Sequence, residues 1–108
     1  FISSIMGNYP HSVSIPYGIS KAAIQFLCKC LVKVVKDRRI RVNCVSPGFT
    51  GTEMQIEKDA EWIKRIENKI ALGRFAKAEE IAEVVLSLET AAYINGSIIE
   101  VYGGYDYK

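Results

Sequence analysis

The 108-residue sequence has little of several features that would indicate particular classes of function. None of its apolar runs approaches the ~20 residues that a helix needs to span a bilayer. Its net charge of +2 is too small to indicate binding to nucleic acid or to an anionic membrane. Its one histidine, His11, has no serine and carboxylate arranged around it, and we expect it on the solvated surface. The sequence therefore predicts neither a membrane nor a nucleic acid as partner.

Cysteine is scarce, and no pair has the C-x-x-C spacing. The chain contains Cys28, Cys30 and Cys44. Cys28 and Cys30 are two positions apart on a predicted helix, so their side chains point about 200° away from each other and cannot bridge or chelate together. We therefore expect free thiols and no metal site. Free thiols in apolar stretches are typical of the reducing cytoplasm, where we expect the protein to be located.

The overall composition is that of an ordinary globular protein. Hydrophobic residues make up 49% of the chain and charged residues 24%. This length allows one domain at most, and no internal repeat interrupts the sequence. The chain begins at Phe1 instead of a methionine, and FISS resembles the middle of a strand. We expect residues 1–108 to be a single partial domain, a fragment of a longer protein.

Strand and helix patterns alternate along the chain. The predicted elements are a strand end at 1–3, a loop at 5–16, a helix at 17–36, a strand at 40–46, helices at 53–72 and 78–89, and a strand at 97–102. This order is typical of a parallel α/β sheet. In such sheets, ligands bind beyond the carboxyl ends of the strands. Those ends carry Ser4, the turn SPGFTGT and the segment VYGG.

A tyrosine and a lysine one helical turn apart, Tyr17 and Lys21, stand near the start of the first predicted helix. With six tyrosines and nine lysines in the chain, chance alone gives about half an occurrence of this spacing. Taken alone, the pair is better explained as a helix start with an exposed aromatic and a solvated lysine, and Pro47-Gly48 alone is simply a turn after a strand. Ser4 at one strand end and SPGFTGT at the next favour a shared site.

Several motifs in register resemble the C-terminal half of a classical short-chain dehydrogenase/reductase. They are Ser4-x-x-Gly7, Tyr17-Gly-Ile-Ser20-Lys21-Ala22-Ala23, RVNCVSPGFTGTEM, LGRFAKAEEIA and NGSIIEVYGG. The resemblance covers nearly the whole chain. It implies a Rossmann-type doubly wound parallel sheet from which the N-terminal nucleotide-binding half is absent. The absent half would contain the Gly-rich dinucleotide fingerprint and an asparagine of the catalytic group.

The resemblance also implies roles for individual residues. Ser4 would orient the substrate, Tyr17 would be the acid/base, and Lys21 would tune Tyr17 and hold the nicotinamide ribose of NAD or NADP. The expected cofactor contacts are those of Tyr17, Lys21, Pro47, Gly48, Thr50 and Thr52, in which Thr52 and the backbone at Thr50 hold the carboxamide.

The chemistry of these side chains agrees with those roles. A free phenol titrates near pH ~10, and a lysine ammonium close by favours its charged form. A proton delivered to a substrate oxygen, while hydride reaches the carbon, reduces a ketone, and the reverse oxidises a secondary alcohol. The hydride must come from a nicotinamide, because no side chain supplies one.

Two classes of function remain open at this stage. The first is an NAD(P)-dependent oxidoreductase acting on a small carbonyl or alcohol substrate, active in a full-length homodimer or homotetramer. A 3-oxoacyl-carrier-protein reductase, a steroid-type dehydrogenase and a tropinone-reductase-like enzyme share these motifs. The second is a non-catalytic truncated fragment that serves only in assembly.

Overall fold

The computed structural model describes residues 1–12 and 14–105, with the backbone alone at positions 54 and 56. Its helices are α1 (Ile15–Val35), α2 (Glu53–Ile56), α3 (Ala60–Glu67) and α4 (Ala78–Thr90), and its strands are β1 (Cys44–Pro47) and β2 (Ile98–Val101). Short 3-10 turns cover Ile5–Gly7 and Lys36–Arg38. The predicted alternation of strands and helices is confirmed.

The two strands form a parallel ladder. The register pairs Cys44 with Ile98 and Pro47 with Val101. Compared with the predicted strands at 40–46 and 97–102, β1 starts four residues later and ends one residue later, and β2 is one residue shorter at each end. A parallel pair of this kind needs a long crossover connection, which residues 48–97 provide through α2, α3 and α4.

The N-terminal segment lies on the other side of β1. The Ser3 N–H donates to the Val45 carbonyl at 2.8 Å, and the Val45 N–H donates to the Phe1 carbonyl at 2.9 Å. Ile2 forms a single parallel bridge with Val45. The predicted strand end at 1–3 therefore pairs as a strand, and β1 becomes the central strand between this segment and β2.

The predicted single helix over 53–72 is wrong, because the structure contains two shorter helices there. Asp59 ends the connection between α2 and α3, where its carboxylate accepts a hydrogen bond from the Trp62 N–H at 2.6 Å. An N-cap residue has non-helical backbone angles, so the helix cannot run through it. After α3, Ile70 forms an antiparallel bridge with Tyr105, which also takes this segment out of the helix.

A small apolar cluster joins α3 to the C-terminal residues. Ile66, Ile70 and Tyr105 are buried in it, and the partly buried Phe49, Trp62, Phe75 and Tyr102 pack against it. The aromatic rings are close, with the Phe49 centroid 5.1 Å from that of Tyr105 and 5.5 Å from that of Phe75. This cluster fixes α3 over the carboxyl ends of the strands.

The long helix α1 buries little of its apolar surface. Gln25 and Cys28 are its buried residues, whereas Phe26 and Val34 are each 71% exposed. The radius of gyration is 15.1 Å, against about 13 Å for a compact domain of this length. No helix in the described ranges is long and apolar enough to cross a membrane.

Candidate active site

A cleft of ≈ 740 Å³ opens at the carboxyl ends of the parallel strands. Its volume is within the usual range for small-molecule sites. All of the site residues predicted from the sequence line it, namely Ser4, Tyr17, Lys21, Pro47, Gly48, Thr50 and Thr52. They come from three segments that are far apart along the chain. The structure therefore brings the predicted residues together at one cleft.

Tyr17 and Lys21 face the cleft from the first turns of α1. Pro16 occupies the helix start, where a missing N–H costs nothing. The Lys21 ammonium lies 5.4 Å from the centroid of the Tyr17 ring and donates a long hydrogen bond of 3.4 Å to the Ile2 carbonyl. Tyr17 is 38% exposed, and its hydroxyl bonds to no described residue, so it is open to a ligand.

Ser4 lies where the N-terminal strand segment ends. Its hydroxyl oxygen accepts a hydrogen bond from the Met6 N–H at 3.2 Å and so caps the 3-10 turn. A serine hydroxyl has one proton to donate besides its acceptor sites. Because the capping bond uses only an acceptor site, Ser4 keeps its proton for a ligand oxygen in the cleft.

A buried hydrogen-bond network lies beneath these residues. The Gln25 carboxamide nitrogen donates to the Ser3 hydroxyl at 3.1 Å, the Ser4 carbonyl at 3.2 Å and the Ser46 hydroxyl at 3.4 Å. The Ser3 hydroxyl in turn donates to the Lys21 carbonyl at 2.8 Å. The sequence analysis assigned no role to Ser3 or Gln25, because a single polar residue on an apolar helix carries no local signal. The network ties α1 to both neighbouring strand segments.

Two glycines allow close approaches around the cleft. A Cβ at Gly7 would lie 2.8 Å from the backbone of Lys21 and Ala22, so the 3-10 turn contacts α1 directly. A Cβ at Gly48 would lie 2.8 Å from the Tyr102 Cα. The close contact with Tyr102 is therefore a sufficient reason for glycine at position 48.

Thr50 presents a backbone donor to the cleft. Its neighbours on each side bond to Ala76, through the Phe49 carbonyl and the Gly51 N–H, both at 2.9 Å. Because successive backbone groups of an extended chain point to opposite sides, the Thr50 N–H points away from Ala76, and it bonds to no described residue. The Thr50 hydroxyl donates to the Gly48 carbonyl at 3.2 Å.

Thr52 stands at the N-cap of α2, but its hydroxyl makes no capping hydrogen bond. It is exposed at the cleft. A threonine at an N-cap ordinarily uses its hydroxyl to satisfy a helix N–H. Since this one does not, the Thr52 hydroxyl is available to a ligand.

Sequence reasoning missed much of the wall that α3 contributes. Lys58, Trp62, Arg65 and Lys69 line the cleft there, as does Gln55. Trp62 and Arg65 stand on α3, whereas Lys58 and Lys69 lie just beyond its ends, and nothing local in the sequence says which side of this segment faces the site. His11, predicted to be on the solvated surface, is exposed and also lines the cleft.

The cysteines take no part in the cleft. Cys28 and Cys44 are buried free thiols, and Cys30 is half-buried. Burial raises the pKa of the Cys28 and Cys44 thiols, which disfavours the nucleophilic thiolate. No group of three or more metal-ligating side chains occurs among the described residues.

Known proteins match this chain along nearly all of its length. The family described as enoyl-(acyl carrier protein) reductase matches residues 1–106. The 3-oxoacyl-[acyl-carrier-protein] reductase of Aquifex aeolicus is 39% identical over 105 residues, which are 95% of this chain and 42% of that protein.

Solved structures agree with the sequence matches. A short-chain dehydrogenase/reductase of Serratia marcescens superposes with a TM-score of 0.86 and 34% identity, covering 95% of this chain and 43% of that one. A small-chain dehydrogenase in complex with NADPH gives a TM-score of 0.85 and 28% identity over 95% of this chain and 48% of the other. This chain thus spans less than half the length of these relatives. It belongs to the short-chain dehydrogenase/reductase family and corresponds to the C-terminal portion of that family's Rossmann-type subunit.

Proposed function

We propose that the full-length protein containing this chain is an NAD(P)-dependent oxidoreductase that interconverts a ketone and a secondary alcohol. The observation that carries this proposal is the single cleft lined by Ser4, Tyr17, Lys21 and the turn after β1. The names of the Aquifex and Serratia relatives support the reaction class. The Aquifex name favours a 3-oxoacyl thioester as substrate over a steroid or a tropinone-like ketone.

The Tyr17 hydroxyl is the acid/base in this proposal. It gives its proton to the carbonyl oxygen during reduction and takes the proton back during alcohol oxidation. The Ser4 hydroxyl donates a hydrogen bond to the same oxygen and so orients the carbonyl beside Tyr17. The Lys21 ammonium, 5.4 Å from the ring centroid, stabilises the phenolate that remains after proton transfer.

The residues around the cleft fit a nicotinamide cofactor. The fit rests on the unpaired Thr50 N–H and Thr52 hydroxyl, which suit a carboxamide, and on the Lys21 ammonium, which suits ribose hydroxyls. Tyr17, Pro47 and Gly48 line the same space. A bound NAD or NADP would supply the hydride, and a relative of this chain has been solved with NADPH.

Replacing Tyr17 tests the proposal most directly. In the full-length enzyme, Tyr17→Phe keeps the ring but removes the proton donor, and we expect turnover to fall at least ~10²-fold with little change in cofactor affinity. Steady-state oxidation of NADH and NADPH with a panel of ketones measures this loss. Turnover close to that of the wild type would show that Tyr17 is not the acid.

Replacing Lys21 by alanine tests both roles given to Lys21, the stabilisation of the phenolate and the binding of the cofactor. We expect both turnover and cofactor affinity to fall, because one ammonium serves the phenolate and the ribose. Cofactor titration beside the kinetic assay provides the measurement. If only one quantity falls, the double role is wrong.

A second candidate, a non-catalytic piece that serves only in assembly, is favoured by the exposed apolar side of α1. The same surface suits a homodimer or homotetramer of the full-length enzyme, and the buried free thiols suit the cytoplasm. A full-length protein that assembles through this surface but never oxidises NAD(P)H would favour the second candidate.

A further inference from the structure

The charged side chains that the described residues contribute to the cleft are all cations. Lys21 lies at the catalytic end, and Lys58, Arg65 and Lys69 line the cleft from the side of α3. No aspartate or glutamate of the described ranges lines it. The chain as a whole is nearly balanced, with 14 basic and 12 acidic residues.

The three cations on the α3 side form one rim. Arg65 stands on α3, whereas Lys58 precedes the N-cap Asp59 and Lys69 follows the C-cap Asn68. The acidic residues nearby, Asp59 and Glu61, line a separate depression, which Arg65 and Lys69 also line.

Protein partners do not neutralise this rim. The ion pair found among the described residues joins Arg74 to Glu80, outside the cleft. The Lys58 ammonium lies 5.8 Å from the centroid of the Trp62 ring, a cation–π distance that leaves its charge in place. Arg65 and Lys69 are exposed and pair with no described carboxylate.

Apolar side chains share the cleft with the rim and the proposed catalytic group. They are Phe49, Trp62, Ile66 and Tyr105. Long cationic side chains beside buried isoleucines extend their charged ends toward solvent, over the apolar surface. A ligand that fills the ≈ 740 Å³ cleft would therefore meet hydrogen-bonding groups, an apolar surface and cations.

We propose that the substrate is an anionic ketone or alcohol, whose carboxylate or phosphate binds the rim of Lys58, Arg65 and Lys69 while its carbonyl lies at Tyr17. This inference rests on the proposed function and adds the charge of the substrate to it. A cofactor phosphate has the same chemistry, so the experiment must separate the two sources.

The test compares a ketone acid with its neutral ester in the full-length enzyme. We expect the double variant Arg65→Gln/Lys69→Gln to lower kcat/KM for 5-oxohexanoate about tenfold, the combined effect of two exposed ion pairs. The value for methyl 5-oxohexanoate and the KM for the cofactor should not change. Lys64→Gln removes a charge from the same helix outside the cleft and serves as the matched control.

Added salt provides a second readout. We expect the preference of the wild type for the acid over the ester to decrease between 0.01 and 1 M salt, as the Debye length falls from about 30 Å to about 3 Å. An equal loss with both ketones, no loss with either, or a raised KM for the cofactor alone would overturn the proposal. The last of these outcomes would assign the rim to a cofactor phosphate.

Failure of the proposed function would give different results from failure of the anion site. A wild-type protein that reduces neither ketone contradicts the oxidoreductase, and calorimetry then tests the rim by itself. Tighter binding of 5-oxohexanoate than of its ester, lost in the double variant, would still support an anion site. Equal binding of the acid and the ester, or no binding of either, would contradict the anion site.

Discussion

The wall of the cleft that bears Tyr17 and Lys21 is held by buried hydrogen bonds, whereas the wall formed by α2 and α3 is held mainly by aromatic packing. On the first wall, one carboxamide, that of Gln25, joins three segments of chain. On the second, the Gln55 carboxamide oxygen is buried without a hydrogen-bond partner among the described residues. The difference suits a rigid site for proton transfer beside a wall that can adapt to ligands.

The largest effect should come from breaking the network of the first wall. Gln25→Leu would leave the Ser4 carbonyl and the Ser46 hydroxyl without their donor. We expect the free energy of unfolding of the full-length protein to fall by about 2–4 kcal/mol, since each buried group left unpaired costs about 1–3 kcal/mol. Turnover should also fall, because Ser4 loses its support. Denaturant unfolding and steady-state kinetics measure the two changes.

The same substitution on the second wall is the matched control. Gln55→Leu removes a buried oxygen that has no partner, so we expect the free energy of unfolding to stay the same or to rise by up to about 1 kcal/mol. If Gln55→Leu destabilised the protein as much as Gln25→Leu, the contrast between the walls would be wrong.

A smaller effect is expected at the contact between the 3-10 turn and α1. Gly7→Ala would bring a Cβ to 2.8 Å from backbone atoms, and overpacking of this kind costs about 1–3 kcal/mol. Thermal unfolding would detect the change. The control is Gly51→Ala on the second wall, where the nearest atom lies at an ordinary 3.7 Å. Equal stability of the two variants would show that the first wall tolerates displacement.

Thr52→Val should change ligand affinity but not stability. The Thr52 hydroxyl makes no capping bond, so α2 loses nothing when it is removed. We expect cofactor binding to weaken by ~0.5–1.5 kcal/mol, the worth of one hydrogen bond. Titration of NADH and NADPH into the full-length protein measures this. An unchanged cofactor affinity would mean that Thr52 is only a turn residue and does not contact the cofactor.

The smallest effect concerns the loop that supports Phe75 on the second wall. Hydrogen bonds from Arg74, and a further one from the Lys77 N–H, lower the pKa of Glu80 from 4.5 to about 2. Because the folded-state pKa is the lower one, this carboxylate stabilises the fold above pH 4.5, and the contribution is lost as the pH falls toward 2. The effect is small because the pair is exposed.

Unfolding experiments between pH 5 and pH 2 can isolate that contribution. We expect Glu80→Gln to flatten the dependence of stability on pH across this window. Glu79→Gln, next to it and without an ion pair to a described residue, should leave the dependence as it is. Identical curves for both variants would mean that the ion pair contributes nothing to the fold.

Sequence patterns predicted most of the fold and all of the residues proposed for chemistry. The helix at 78–89 is confirmed to within one residue, because its apolar spacing and acidic start are local. The helix at 53–72 failed at Asp59, which the structure uses as an N-cap. Asp59 is present in the sequence as a possible N-cap, but the predicted helix followed the apolar periodicity on both sides of it.

The sequence by itself supplied the residues proposed for proton transfer and cofactor binding, because the motifs that carry the family resemblance are local in the sequence. Only the tertiary structure decided that Gln25 supports Ser4, that Gly48 contacts Tyr102, and that Lys58, Arg65 and Lys69 line the cleft. The first two of these relations join residues 21 and 54 positions apart. Such contacts depend on how the segments pack against one another, and neither composition nor periodicity contains that information.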